Sequence, residues 1–123
     1  MAANRIVAIV DDDEAVRAAT VSLVRSLGHE ARAFSSATEF LRHGGDGIDC
    51  LVTDVNMPGM DGLELQRHLS ERGHTYPIVF VTGFPDDGVR ERAMKEGAFC
   101  YIGKPFSGDE LVVCLERALE VGR

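Results

Sequence analysis

Aspartates stand at two distant places in the chain, each time directly after a short apolar segment. One place is the run Asp11-Asp12-Asp13 and the other is Asp54. Two carboxylates about 4 Å apart repel each other by about 4 kcal/mol at an effective dielectric of about 20. Acids that converge in a fold therefore either take up protons or recruit a cation. Oxygen ligands with several waters are what Mg²⁺ prefers, so the chemistry to test is Mg²⁺ binding.

Two further polar residues stand where apolar segments end. They are Thr82 and Lys104, and Lys104 would bring a positive charge to the acids. Each residue alone has an ordinary explanation, because a lone lysine is usually solvated and an aspartate after a strand is usually a cap or turn residue. We predict the capping role for Asp13 and Asp61. The case for a functional site therefore depends on whether the fold brings the other residues together.

The elements that must position these residues alternate between strand and helix. Apolar periodicity predicts strands over residues 5–10, 29–34, 48–53, 77–82 and 99–102, each followed by a helix. The apolar stripes of the first and fourth helices are Val16, Ala19, Leu23 and Leu27, and Val89, Ala93 and Met94. Strict alternation implies a mostly parallel sheet with helices on both faces. Ligands of such folds lie beyond the carboxyl ends of the strands, where the polar residues stand.

Length and composition restrict the class of protein. A chain of 123 residues with 45% hydrophobic residues predicts one domain over residues 1–123. The net charge of −7 argues against direct binding of nucleic acid by this domain. The apolar runs are too short to cross a bilayer and there is no signal peptide, so we expect a cytoplasmic protein without a membrane partner. Cys50, Cys100 and Cys114 show no Cys-x-x-Cys spacing, and we interpret them as small buried hydrophobes.

Four segments in order resemble the response-regulator receiver domains of two-component signalling systems. They are residues 10–13 (Val-Asp-Asp-Asp), 53–62 (Thr-Asp-Val-Asn-Met-Pro-Gly-Met-Asp-Gly), 82–83 (Thr-Gly) and 104–106 (Lys-Pro-Phe). The resemblance extends from residue 6 to about residue 119 and is strongest to receivers of nitrogen-fixation and LuxR-type regulators. It implies an α/β fold of the doubly wound (βα)5 kind, with a five-stranded parallel sheet in the flavodoxin-like order 2-1-3-4-5. It also implies a cis peptide bond between Lys104 and Pro105.

The resemblance implies a role for each polar residue. Asp54 would accept a phosphoryl group from a sensor histidine kinase or a phosphotransfer protein. Asp12 would bind Mg²⁺ or Mn²⁺ directly and Asp11 would act through water or by orientation, while Asp54 and the backbone carbonyl of Asn56 would complete the protein ligands. Lys104 would neutralise the phosphoryl oxygens. The protein would be a signalling phospho-acceptor that catalyses only its own phosphotransfer and dephosphorylation, not an enzyme with an independent substrate.

Thr82 and Tyr101 match the pair of residues that transmits phosphorylation in the family. A phosphoryl oxygen would draw the Thr82 hydroxyl inward, and Tyr101 would rotate into the space that this movement leaves. The surface of the fourth helix and fifth strand would then change and control an output, with a phosphorylation-dependent homodimer or a transcriptional effector domain as candidates. Gly103 would make the loop before Lys104 flexible, and Pro85 would stiffen the loop after Thr82.

Two alternative functions fit parts of the pattern. Asp11-x-Asp13 resembles the nucleophile and general acid of haloacid-dehalogenase phosphatases, and Thr82 and Lys104 could fill the next two motifs of that family. That alternative gives Asp54 no role and lacks the paired acids expected after Lys104. A flavin-binding module of similar fold would need a phosphate-binding loop rich in Ser, Thr and Gly after the first strand, where three aspartates would repel the phosphate.

Overall fold

A computed structural model of the protein describes residues 5–43, 47–104 and 108–121, with the side chain of Val121 excepted. Within these ranges five strands and five helices alternate. In chain order they are β1 (Ile6–Val10), α1 (Glu14–Ser26), β2 (Glu30–Phe34), α2 (Ala37–His43), β3 (Cys50–Asp54), α3 (Gly62–Glu71), β4 (Ile78–Thr82), α4 (Asp87–Lys95), β5 (Cys100–Gly103) and α5 (Gly108–Val121). The predicted strands are confirmed to within two residues at each end. The predicted cis bond before Pro105 lies outside the described residues.

The five strands form one parallel sheet in the order β2-β1-β3-β4-β5, so the predicted fold class is confirmed. The register pairs Val10 of β1 with Thr53 of β3, which sets the residues that follow these strands side by side. On the other side, Thr82 of β4 pairs with Gly103 of β5, directly before Lys104. The carboxyl ends of four strands therefore meet along one edge of the sheet.

Each face of the sheet carries its own apolar core. One core joins alternate residues of the central strands to α2, α3 and α4, with Phe40, Leu65 and Phe80 fully buried. The other joins the remaining strand residues to α1 and α5, with Leu111 and Leu115 at its centre. Because β1, β3 and β4 are covered on both faces, they are near-continuous runs of apolar residues. None of the described helices is both long and apolar enough to span a membrane.

Two helices begin at the aspartates that the sequence predicts as caps. The Asp13 side chain accepts a hydrogen bond of 3.1 Å from the Val16 N–H at the start of α1. The Asp61 side chain accepts one from the Glu64 N–H, and the Glu64 carboxylate in turn accepts one from the Asp61 N–H, which completes a capping box for α3. Both predictions are confirmed. The Asp13 side chain therefore stabilises the start of α1 rather than contributing to the site.

The buried faces of α1 and α4 differ from the predicted stripes. In α1 the buried residues are Thr20 and Val24, whereas Ala19 is exposed. A threonine can occupy this core position because its hydroxyl donates a hydrogen bond of 2.9 Å to the Val16 carbonyl one turn earlier. In α4 only one residue is buried, and Met94 is 41% exposed. The prediction that Met94 helps to cover the sheet is wrong.

Candidate functional site

Three acids converge at the carboxyl ends of β1 and β3. Asp11, Asp12 and Asp54 each place one carboxylate oxygen within 4.8 Å of the others. Asp11 and Asp54 are only 2% and 6% exposed, and Asp12 is exposed. The backbone explains this arrangement, because β1 and β3 are neighbours in register and both end at the same edge. The geometry brings together the acids that the sequence predicts.

Lys104 joins the two buried acids from the end of β5. Its Nζ lies 3.1 Å from Asp11 Oδ2 and 3.1 Å from Asp54 Oδ2. The Lys104 N–H donates to the Thr82 carbonyl, which fixes the start of the side chain beside β4. Burial by itself lowers the pKa of Lys104, but the hydrogen bonds to Asp54 and Asp11 outweigh it and leave the pKa raised. The lysine is thus held as the ammonium ion.

The positive charge of Lys104 does not neutralise the three acids of this site. Burial raises the pKa of Asp11, and the hydrogen bonds from the Asp13 N–H and from Lys104 offset only part of this effect. Within the described residues, Lys104 is the one cation that pairs with these carboxylates, so with all three acids ionised two of their negative charges have no ion-pair partner. An oxygen-rich pocket with this charge fits a small divalent cation such as Mg²⁺, and Asp11, Asp12 and Asp54 are the side chains that could hold it.

Asn56 connects the acid cluster to Thr82 through contacts that the sequence analysis missed. Its backbone N–H donates a hydrogen bond of 3.2 Å to Asp54 Oδ1, and its side-chain Nδ2 donates one of 3.1 Å to Thr82 Oγ1. The fully buried Thr82 Oγ1 also accepts a hydrogen bond of 3.1 Å from the Phe84 N–H. The turn after Asp54 and the neighbouring strand β4 were both visible in the sequence. The pairing of the amide with the hydroxyl depends on their positions in three dimensions.

Tyr101 lies apart from the acids, at the start of α4. The half-buried ring packs against the core formed with α2, α3 and α4. Its hydroxyl accepts a hydrogen bond of 3.3 Å from the backbone N–H of Asp86, and the Asp86 side chain caps α4 by accepting one of 3.0 Å from the Val89 N–H. In this conformation the Tyr101 hydroxyl therefore holds the β4–α4 loop, rather than contacting Thr82 directly.

Two glycines permit close approaches around the site. A Cβ at Gly62 would run into the Asp54 carbonyl oxygen, so only glycine lets α3 begin directly against the end of β3. A Cβ at Gly103 would lie 2.8 Å from Cγ of Pro85. The space that Gly103 leaves is thus filled by the proline ring, and β5 packs closely against the β4–α4 loop. This contact corrects the expectation that Gly103 loosens the chain before Lys104.

Comparison with known proteins identifies the family. The family model of the response regulator receiver domain matches residues 7–116. The chain belongs to this family. Response regulator protein TmoT of Ectopseudomonas mendocina is 44% identical over 117 residues, which cover 94% of this receiver and 53% of TmoT. The receiver thus spans about half the length of the curated relatives that it resembles.

A second relative and a solved structure support the same family. Transcriptional regulatory protein FixJ of Bradyrhizobium diazoefficiens is 37% identical over 90% of the receiver and 55% of FixJ. The crystal structure of FixJ-N superimposes with a TM-score of 0.88 at 36% identity, and the match covers 97% of the receiver and 96% of that chain. The resemblance inferred from the sequence is therefore confirmed, and the chain is a receiver domain of a two-component signalling system.

Family membership decides between the functions considered from the sequence. Receiver domains are signalling modules that bind Mg²⁺ and interact with histidine kinases, and the acid cluster of this receiver has the composition that such a metal needs. The phosphatase alternative finds no support in these comparisons. In that alternative Asp13 would serve as the general acid, whereas its side chain here caps α1.

Proposed function

We propose that Asp54 of this receiver accepts a phosphoryl group from a phosphohistidine of a sensor kinase or a phosphotransfer protein. The observation that carries the proposal is the double contact of Asp54, whose Oδ2 meets Lys104 Nζ at 3.1 Å while its Oδ1 accepts the Asn56 N–H at 3.2 Å. The carboxylate is thereby oriented beside a fixed positive charge. Positioning and charge stabilisation are the main contributions that a protein makes to phosphoryl transfer.

The proposed step forms one bond and breaks another. An Asp54 carboxylate oxygen attacks the phosphorus, and the phosphorus–nitrogen bond to the partner's imidazole breaks with its electron pair on nitrogen. Lys104 exchanges part of its contact with Asp54 Oδ2 for a phosphoryl oxygen, which keeps the ammonium ion paired. Asp11, Asp12, Asp54 and the backbone carbonyl of Asn56 would hold Mg²⁺ or Mn²⁺, which supplies further neutralisation of the phosphoryl charge. The same groups would orient water when the aspartyl phosphate is hydrolysed.

Incubation with Mg²⁺ and acetyl phosphate tests the proposal. Intact-mass measurement should show the addition of one phosphoryl group to the wild-type chain and none to Asp54→Asn. Asp13→Asn is the matched control, because it removes a neighbouring acid that caps α1; it should still be labelled. Labelling of Asp54→Asn at the wild-type level would show that another residue is the acceptor.

We further propose that Thr82 and Tyr101 carry the phosphorylation signal to the surface of α4 and β5. Support comes from the hydrogen bond between Asn56 and Thr82, which links the turn after Asp54 to β4. A phosphoryl oxygen would compete for the Thr82 hydroxyl, and the Tyr101 ring would leave Asp86 and turn inward. The balance between the two conformations then depends on the contacts that the phosphoryl group makes in each of them.

We propose that the output of this receiver is the control of transcription in the cytoplasm. It would act through a phosphorylation-dependent homodimer or an effector domain. The support is that FixJ is a transcriptional regulatory protein and that the match covers only 55% of its length. DNA binding by the receiver itself does not fit its net charge of −7. Purified receiver should therefore not retard a DNA fragment at physiological salt. Sequence-specific retardation by the receiver alone would contradict the assignment.

A further inference from the structure

Arg17 lies close to the acid cluster but forms no ion pair with it. It is the fourth residue of α1, and because helical side chains tilt towards the N-terminus of their helix, its side chain points back towards the end of β1. There the half-buried guanidinium donates a hydrogen bond of 2.8 Å from Nη1 to the backbone carbonyl of Asp11. In the described part of the chain no carboxylate pairs with Arg17. The guanidinium therefore binds the main chain of the site rather than its acids.

The stability of α1 alone does not explain a positive charge at this place. The N-terminus of a helix carries a partial positive charge, which favours acids there and disfavours a guanidinium. The acids Asp13 and Glu14 follow this rule at the start of α1, and Arg17 opposes it. What Arg17 gains is the bond to the Asp11 carbonyl, which is stronger than a neutral hydrogen bond because its donor is charged.

The Asp11 carbonyl belongs to the peptide group between Asp11 and Asp12. The peptide group on the other side of Asp12 is held as well, because the Asp13 N–H donates a hydrogen bond of 2.9 Å to Asp11 Oδ1. Asp12 itself is exposed, and within the described residues its side chain has no hydrogen-bond partner. The direction of the Asp12 carboxylate therefore depends on the two peptide groups that flank it, and Arg17 holds the first of them.

We propose that Arg17 is a positioning residue of the metal site. By fixing the peptide group between Asp11 and Asp12, it keeps the exposed Asp12 carboxylate directed towards the other acids, ready for Mg²⁺. The inference rests on the ligand set of the proposed function, in which Asp12 binds the metal. Residues that orient metal ligands typically contribute about 10–100-fold to metal affinity. Arg17 acts through the backbone, so we expect a contribution of about tenfold, at the lower end of this range.

The charge of Arg17 and its hydrogen bond affect metal binding in opposite directions. A positive charge beside the acid cluster repels a cation, so loss of the guanidinium charge by itself would strengthen metal binding. Loss of the hydrogen bond to the Asp11 carbonyl would weaken it. The direction of the change in a variant that lacks both therefore shows which effect is the larger.

The experiment titrates the metal-free 123-residue chain with Mn²⁺, which accepts the same oxygen ligands as Mg²⁺. Electron paramagnetic resonance measures the free Mn²⁺ and so gives the affinity. Arg17→Met keeps an apolar stem without a donor and should bind Mn²⁺ about tenfold more weakly than the wild type. Arg17→Lys restores a charged donor and should recover most of the affinity. Arg25→Met is the matched control, because it removes the same charge from the exposed last turn of α1, and it should bind like the wild type.

Asp12→Asn tests whether Arg17 acts through Asp12. This variant should bind Mn²⁺ more weakly, and Arg17→Met should weaken binding little further in its background, because the carboxylate that Arg17 positions is already gone. An additional loss as large as in the wild type would overturn the proposal. Mn²⁺ binding by Asp12→Asn at the wild-type level would show that the ligand set is wrong, and this proposal with it.

Three outcomes would overturn the proposal while the ligand set stands. One is an Arg17→Met chain that binds Mn²⁺ as tightly as the wild type or more tightly. Another is an equal loss in Arg25→Met, which would show a general effect of charge. The third is an Arg17→Lys chain that binds no better than Arg17→Met. Circular dichroism verifies that each variant is folded, and no step of the assay involves phosphorylation of Asp54.

Discussion

At the scale of residues, two opposing effects act on the pKa of Asp11. Its carboxylate is almost fully buried, and it contacts Lys104 and the Asp13 N–H. Burial is the stronger effect, so the pKa of Asp11 is raised above its ordinary value of 3.8. A carboxyl group whose pKa is raised by folding binds its proton more tightly in the folded state. Its contribution favours folding at low pH and is lost as the pH rises from about the ordinary value through the raised one.

Asp11→Asn should therefore raise the melting temperature of the metal-free protein at neutral pH. The amide has nearly the same shape, its oxygen can still accept from the Asp13 N–H, and Lys104 keeps Asp54 as a partner. The advantage should shrink as the pH falls towards 3.8, where the wild-type carboxyl is protonated. Thermal unfolding in a chelator across this pH range measures the effect.

Added Mg²⁺ provides the internal control for this prediction. Mg²⁺ binds the folded acid cluster preferentially and so should stabilise the wild-type chain more than Asp11→Asn. With Mg²⁺ the difference between the two melting temperatures should thus shrink or change sign. A variant that is less stable than the wild type at neutral pH without metal would mean that the ion pair with Lys104 outweighs the cost of burying Asp11.

Sequence reasoning reaches the acids but not all of their partners. Asp11, Asp54 and Lys104 could be predicted because each stands at the carboxyl end of a strand, and these ends share one edge of a parallel sheet. The bond from the Asn56 amide to Thr82 could not, because it depends on side-chain rotation in a turn.

At the scale of elements, the limits of the strands were easier to predict than the buried faces of the helices. The buried strands are near-continuous apolar runs that end in polar residues, so their limits could be predicted to within two residues. In α1 the apolar residues Val16 and Leu23 are only half-buried, while Thr20 is buried because it satisfies its hydroxyl within the helix. Met94 is apolar yet exposed, since α4 presents only a narrow face to the sheet. Apolar character alone does not decide which side of a helix is covered.

The packing of Pro85 on Gly103 predicts how the β4–α4 loop is held against β5. Gly103→Ala brings a Cβ to 2.8 Å from the proline Cγ, so the loop must move. Overpacking of this kind typically costs about 1–3 kcal/mol, and we expect a loss of unfolding free energy in this range. Urea denaturation measures the loss.

The neighbouring Gly83 offers the matched control, because a Cβ there meets no atom within 4 Å. Gly83→Ala should leave the unfolding free energy nearly unchanged. Pro85→Ala removes the ring, and in that background Gly103→Ala should cost clearly less than in the wild type, as a double-mutant cycle would show. Equal costs of Gly103→Ala with and without the proline would mean that the loop is free to move aside.

At the scale of the whole molecule, two of the three large apolar side chains that are exposed in the described part of the chain lie near the proposed output surface. Phe84 in the β4–α4 loop is 77% exposed and Met94 in α4 is 41% exposed. Both belong to the segment that Tyr101 tethers through Asp86. Receivers that pair through this surface do so about a two-fold axis, so each contact occurs twice. A transient interface of this kind buries less than about 1,200 Å² in total.

We predict that the chain is mainly monomeric at micromolar concentration and associates when beryllofluoride, a mimic of the phosphoryl group, is added with Mg²⁺. Light scattering with and without beryllofluoride measures the change. Thr82→Ala should still bind the mimic but respond weakly, because the hydroxyl that couples the site to β4 is lost. If wild-type chains remain monomeric at high concentration under both conditions, the output acts through a different protein or an effector domain instead.

The two hydrogen bonds accepted by Thr82 Oγ1 also set the level of output in the absence of a stimulus. In the proposed switch, a spontaneous excursion of the hydroxyl must give up the bonds from both Asn56 and Phe84. Each such bond is worth about 0.5–1.5 kcal/mol, and every 1.4 kcal/mol lowers a population about tenfold. Asn56→Ala would therefore raise the output of unstimulated cells several-fold. Such cells would respond to spontaneous movements of the Thr82 hydroxyl as they respond to the stimulus.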